Sequence, residues 1–366
     1  MTGLYIHVPF CARKCPYCDF YSVEYSKAAA GQYVDALVRN IRRFAGRDID
    51  IDTVYFGGGT PSLLNVRQVR TVLDTVRECF VLHSPEVTLE ANPCTVDLYK
   101  LCQMREAGVN RLSFGVQSAN DGELERLGRL HDFARAKRAV YDARTAEFEN
   151  ISCDIMLGTP SQTAESLKRS VDTLTSLPIT HISAYMLKIE QGTRFDCEQV
   201  RKEMADDDAM SDMYLQTVAQ LEKAGFAQYE ISNFAKSGFE SRHNLKYWTG
   251  GQYIGIGASA HSFFGGRRYY CPRDVRDFIE RDVQQEIVDE RSPDALEEYI
   301  MLGLRLTQGI GLDRLERLGA DCAKILQKAR ELEKIGLCEV GGGRIRLTVR
   351  GFLLSNSVIA EFILLI

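Results

Sequence analysis

Apolar positions along the first half of the chain follow two alternating rhythms. Short runs of β-branched and aromatic residues, at 4–8, 53–56, 87–90, 111–115, 151–156 and 181–186, read as strands. Between them apolar residues recur at three- and four-residue steps. Val66, Val69, Leu73, Val76 and Phe80 do so behind a helix cap at Asn65, and Leu167, Val171, Leu174 and Leu177 repeat the pattern. Six strand–helix alternations predict stacked βαβ units and a parallel sheet, which right-handed crossovers curl into an open barrel. In such folds chemistry gathers on the loops after the strands' C-terminal ends.

Past about residue 230 the rhythm changes. Residues 232–270 are rich in Gly, Asn, His and aromatics and read as irregular. Ser292-Pro293 predicts an N-cap followed by proline in the first helical turn, opening a helix to Leu304. A helix over 323–332 follows, then two short strands joined by Gly341-Gly342-Gly343. Cys338 and Val340 alternate on one of these strands, Ile345 and Leu347 on the other. The expected organisation is an α/β barrel over 1–235, a connector over 236–290 and a small α+β winged-helix-like domain over 291–366. That last shape often binds nucleic acid, but shape alone does not assign a function.

With 366 residues, 45% apolar and 26% charged, the composition excludes wholesale disorder and fibrous repeats. A net charge of −5 disfavours nucleic acid as the main partner. The most apolar run, 358–366, is interrupted by Glu361 and falls well short of the ~20 residues of a spanning helix, so no transmembrane segment is expected. The first residues lack the features of a signal peptide, which predicts a cytoplasmic protein. In that reducing setting the eleven cysteines favour metal or catalytic use over disulfides. Eight of them, from Cys79 to Cys338, are scattered singly and read as small buried hydrophobes.

The other three are different. Cys11-Ala-Arg-Lys-Cys15-Pro-Tyr-Cys18 follows the first strand and lets one loop wrap three thiolates around a single centre, suiting zinc or an iron–sulfur cluster. A structural zinc site takes four protein ligands with paired spacings, and the chain has no second Cys-x-x-Cys. His7 is a conceivable fourth ligand but lies within the strand. A [4Fe–4S] cluster normally takes four cysteines, so three leave one iron open to an outside ligand.

Cys-x3-Cys-x2-Cys after the first strand of such a chain resembles the signature of the radical S-adenosylmethionine (SAM) superfamily. The resemblance implies a partial (β/α)6 barrel in which the amino and carboxylate groups of SAM chelate the open iron. It also implies that an electron from the cluster cleaves SAM to methionine and a 5′-deoxyadenosyl radical. Phe56-Gly57-Gly58-Gly59-Thr60-Pro61 looks like the family's glycine-rich motif, whose backbone approaches the SAM amino group closely. Glu90, Gln117, Arg129 and Asp154 lie at or just beyond strands, in strings similar to those of the coproporphyrinogen-dehydrogenase-like branch. There the matching positions contact SAM, and Tyr5 matches a tyrosine beside the cluster and SAM.

Two features bear on the place within that branch. The dehydrogenase has a further cysteine two positions after the third, where this chain has Phe20. His243-Asn244-Leu245-Lys246-Tyr247-Trp248 resembles instead the HNxxYW string of the branch's heme chaperones, the HemW type. That resemblance implies binding of heme as well as the cluster and SAM, delivery of heme to acceptor proteins, and dimerisation among the roles of the cofactors. A neutral imidazole ligates iron, so His243 is a candidate heme ligand, with Tyr247 and Trp248 as stacking partners. The alternative is that His243 and Asn244 fix the loop while Trp248 packs a domain junction. The rival activity is oxygen-independent coproporphyrinogen III dehydrogenation. Radical SAM enzymes that modify RNA or protein, or break down heme, are further alternatives. Gly255-Ile-Gly257-Ala-Ser-Ala mimics a dinucleotide fingerprint without the βαβ context and reads as a chance match, and no role is assigned to His261.

Overall fold

The computed structural model describes residues 1–290 and 292–366. All six expected strands are present: β1 (Thr2–Val8), β2 (Asp50–Gly58), β3 (Val81–Ala91), β4 (Arg111–Gln117), β5 (Asn150–Leu157) and β6 (His181–Met186). They pair in parallel and in chain order, and β1 and β6 do not meet, so the barrel is open. Helices cover the outer face. Val66–Cys79 begins at Asn65 as expected: the Asn65 side chain accepts from Gln68 N while the Gln68 side chain accepts from Asn65 N, a reciprocal cap worth about 1 kcal/mol. Its buried stripe is Val69, Val72, Leu73 and Val76.

Period-two alternation splits each strand. Leu4, Ile6, Val54, Phe56, Leu89, Leu112, Phe114, Ile151 and Ile182 belong to the buried apolar core. The alternate positions carry polar side chains that hydrogen-bond to one another across strands: Tyr55 to Glu90, Ser113 to Asp154, Ser152 to His181. The barrel interior is therefore a polar lining inside an apolar shell.

The stretch expected to be irregular is largely regular. It forms the helix Arg242–Thr249 and the strands Tyr253–Ile256, His261–Phe264, Arg267–Tyr270 and Ile287–Glu290. Tyr253–Ile256 pairs in parallel with β1, and the others continue the sheet antiparallel. Glycine content hid this, because the glycines serve packing. A Cβ on Gly257, at φ +117°, would stand 2.5 Å from the Tyr33 hydroxyl. Gly257 N donates to Gln284 and Ala258 N to Tyr33, so these amides are already spent and cradle no phosphate.

Near the C-terminus the helix is Ala295–Gly303 and its cap is Asp294, whose carboxylate accepts from Leu296 N and Glu297 N; Ser292 does not cap it. A carboxylate serving two orphan amides outcompetes the earlier hydroxyl. The hairpin forms as read, Cys338 opposite Leu347 and Val340 opposite Ile345, and gains a third strand, Ile310–Gly311. The apolar tail becomes the nine-residue helix Ser355–Ile363, which buries Val358, Ile359 and Phe362. Among the described residues no helix is long and apolar enough to cross a membrane.

Candidate functional site

The cysteine loop leaves the C-terminal end of β1. Its neck is closed by pairing of Phe10–Cys11 with Val23–Glu24, and a turn brings Cys18 N to Cys15 O at 3.2 Å. Neighbouring loops hold it from outside: Arg13 donates to Gly128 O at 2.8 Å, Arg194 to Lys14 O at 2.9 Å, and Phe195 N to Pro16 O at 3.1 Å. All three cysteines are free and half-buried. Among the described residues no three His, Cys, Asp or Glu side chains converge on one point, as a single tetrahedral ion would require. A cube that offers a separate iron to each thiolate makes no such demand. His7 is committed elsewhere. Tyr5 donates to its Nδ1 at 3.0 Å, its Nε2 faces the Tyr21 carbonyl at 3.4 Å, and burial lowers its pKa to about 4.

The glycine motif closes β2 against this loop. Gly58 has φ +113°, and a Cβ there would lie 2.5–2.8 Å from the His7 ring, so no other residue fits. Thr60 Oγ1 donates toward Cys11 Sγ at 3.7 Å. From the other side Arg129 Nη1 approaches Cys15 Sγ at 3.6 Å and Tyr17 Oη at 3.4 Å, while its Nη2 donates to Gly115 O at 2.6 Å. Its Nε is buried without a partner. Gln117, at the end of β4, holds φ +74°, a left-handed backbone costing about 1–2 kcal/mol in a residue with a side chain. The β4–β5 register shifts at the same place.

Two carboxylates face the interior at this end. Glu90 accepts from Tyr55 Oη at 2.8 Å and from Gly58 N at 3.1 Å, and Asp154 accepts from Ser113 Oγ at 3.2 Å. Burial pushes Glu90 up to about 7, with the charge of Asp154 adding to it, and pushes Asp154 up to about 6. Neither forms a salt bridge among the described residues. Acids so placed await a ligand that supplies donors or positive charge. In the ligand-free protein they destabilise the fold. The folded form of Glu90 binds its proton more tightly than the unfolded chain does, so this site's contribution falls as pH rises from about 4.5 to 7 and then levels. Glu90→Gln is expected to gain on wild type in thermal midpoint across that window. A pH-independent difference would contradict the assignment.

Cys11, Cys15, Cys18, Gly57, Gly58, Gly59, Thr60, Glu90, Gln117, Arg129 and Asp154 thus line one end of the barrel, with Tyr5 stacked on Tyr55 beneath them. An orphaned Arg129 nitrogen, two buried acids with no salt bridge among the described residues and a cradle that a Cβ would fill suit a cluster with a bound zwitterionic, hydroxyl-bearing cofactor. His243 is not among them. It lies in the helix that plugs the opposite end, fully buried, with Nδ1 at 2.8 Å from Thr53 Oγ1 and Nε2 at 2.9 Å from Tyr247 Oη. Its amide donates to Glu86, its ring stacks on Tyr55, and burial lowers its pKa to about 3. Trp248 stacks beneath the Arg305 guanidinium at the junction with the C-terminal domain. The arrangement fits the loop-fixing alternative, with both ring nitrogens engaged by hydroxyls.

Tyr55 and Ser113, the partners of Glu90 and Asp154, were missed by sequence reasoning, although each falls on the polar side of the two-residue alternation that carries those acids. Among the scattered cysteines, Cys79, Cys153, Cys271 and Cys338 are buried as expected, whereas Cys94 and Cys197 are exposed. Both sit in the first residues of short turns or helices, where the backbone is used for capping and the side chain has no core to enter.

Residues 5–174 match the radical SAM superfamily and residues 292–354 the HemN C-terminal domain. The chain is 36% identical to the heme chaperone HemW of Bacillus subtilis, covering 99% of each, and 37% identical to that of Mycobacterium tuberculosis, covering 98% of this chain and 93% of the relative. Its fold superposes on the Escherichia coli coproporphyrinogen III oxidase HemN with a TM-score of 0.85 at 23% identity, over 99% of this chain and 89% of that one. The cysteine loop, the glycine motif and the acid-lined barrel mouth therefore belong to a known scaffold: the chain is a member of the radical SAM superfamily, in the family of the heme chaperone HemW.

Proposed function

We propose that this protein is a heme chaperone built on a radical SAM barrel: it holds a [4Fe–4S] cluster, SAM and heme, and hands heme to acceptor proteins such as respiratory cytochromes. The carrying observation is end-to-end similarity to heme chaperones, cofactor barrel and C-terminal domain together. Phe20 adds to it, standing 69% exposed where the dehydrogenases carry a further cysteine. Cys11, Cys15 and Cys18 would hold the cluster. Gly57, Gly58, Gly59 and Thr60, with Glu90, Gln117, Arg129 and Asp154, would hold SAM. A cluster held there would, when reduced, be a source of an electron for the SAM sulfonium. The chain's own residues bind and orient. Arg129 sets positive charge against the Cys15 thiolate, Thr60 donates toward Cys11, and Glu90 and Asp154 present acceptors from a desolvated wall. The reading carries with it a cytoplasmic location and a homodimer.

Anaerobically reconstituted protein given heme and SAM tests it. Heme should pass to an apo-hemoprotein, with release of 5′-deoxyadenosine measured in parallel. Formation of protoporphyrinogen from coproporphyrinogen III, with SAM and a reductant, would make the protein the dehydrogenase instead.

A further inference from the structure

Beside the cluster loop lies a cleft of about 300 Å³ whose walls include Ala12, Arg13, Leu63, Cys94, Lys100 and Leu130. It separates the cysteine loop from the turn that follows β3. Two of its side chains are cationic and none is acidic. Neither Arg13 nor Lys100 forms a salt bridge among the described residues. Lys100 Nζ donates to the carbonyls of Ser62 and Thr95, which fixes the ammonium at the wall and leaves one N–H free. Arg13 uses one nitrogen on Gly128 O and keeps the rest of its fork. Apolar Ala12, Leu63 and Leu130, the last 48% exposed, share the walls with the short polar side chains of Ser62, Asn92 and Thr95. Thr60 belongs both to this cleft and to the cluster site, through its contact with Cys11.

Two cations without salt-bridge partners among the described residues, beside three apolar side chains in an otherwise uncharged lining, match a flat apolar molecule with carboxylates on one edge. We propose that the cleft takes the propionate edge of heme, Arg13 and Lys100 holding the carboxylates beside the cluster loop. The inference rests on the chaperone reading and adds to it the place where the cargo sits. At this volume the cleft encloses only an edge of a macrocycle, which suits a carrier that must release what it holds. The thiol of Cys94, exposed and directed at Leu130 O at 3.3 Å, is a natural reporter of occupancy.

The test compares heme with heme dimethyl ester, which keeps ring and iron and lacks the carboxylates, by Soret titration of the cluster-loaded protein. Heme should bind about tenfold tighter than the ester, as expected for charge-assisted hydrogen bonds. Arg13→Gln should erase most of that preference while leaving affinity for the ester unchanged. Arg13 is exposed, and iron content of the variant at wild-type level checks that losing its bond to Gly128 O leaves the cluster loop in place. Saturating heme should also slow alkylation of Cys94, followed by peptide mass spectrometry. Equal affinity for heme and ester, or a preference that survives in Arg13→Gln, overturns the assignment and leaves the chaperone reading standing. Failure to bind either molecule removes both.

Discussion

Replacing Cys15 by Ala abolishes the iron–sulfur cluster: iron and acid-labile sulfide fall to background and the broad visible absorption of the reconstituted protein disappears. The effect is expected to be all-or-none, because on the proposed assignment Cys11, Cys15 and Cys18, all free, would supply every protein bond to the cube and two could not retain it. Cys15 is the sharpest choice of the three. Its sulfur faces Arg129, whose guanidinium also meets Tyr17 and Gly115 and, among the described residues, has a buried nitrogen without a partner. Without the thiolate that cation loses its compensation, so SAM affinity should fall together with the cluster. Cys197→Ser is the control: its side chain is exposed and caps nothing, and iron content should not change. Iron and sulfide at wild-type level in the Cys15 variant would remove the cluster assignment.

His243→Ala should cost about 3 kcal/mol of stability and leave the heme Soret band where it is. The imidazole is fully buried, so its removal opens a cavity under Tyr55 and strips partners from the Thr53 and Tyr247 hydroxyls. The loss should appear as a lowered denaturation midpoint of the cluster-free chain. His243→Gln, which can still bridge the two hydroxyls in part, should recover some of it. An unchanged midpoint with a lost Soret band would restore His243 as an iron ligand and refute the reading of it as a plug residue.

The HNxxYW segment marks where sequence and structure part. A histidine two residues past a serine and five before a tryptophan suggests metal chemistry, since imidazole and indole are the usual equipment of a heme pocket. The helix Arg242–Thr249 instead turns the imidazole into the lower barrel, and its first amides are satisfied by Glu86. Nothing near position 243 encodes Glu86 or Thr53, which lie more than 150 residues away. Lys246 and Asp52 close the same plug with an ion pair at 2.6 Å, both largely buried. Cys94, Arg13 and Lys100 illustrate the converse. Each is unremarkable in sequence, and only the turns after β1, β2 and β3 bring them to one cleft.

The sequence by itself determined the strands and their alternating faces, the six-fold βα order and the ligand loop, because each rests on contacts within a few residues or on a period the backbone imposes. The candidate cofactor residues were legible through resemblance to the family's motifs, and their placement agrees with it: a parallel barrel delivers strand ends to one rim, whatever lies between them. Tertiary structure alone decided which rim an isolated side chain reaches, whether a polar group arrives with its partners already in place, and that a glycine-rich connector would extend the sheet. Those outcomes depend on hydrogen bonds and close approaches between segments distant along the chain, and no local pattern records them.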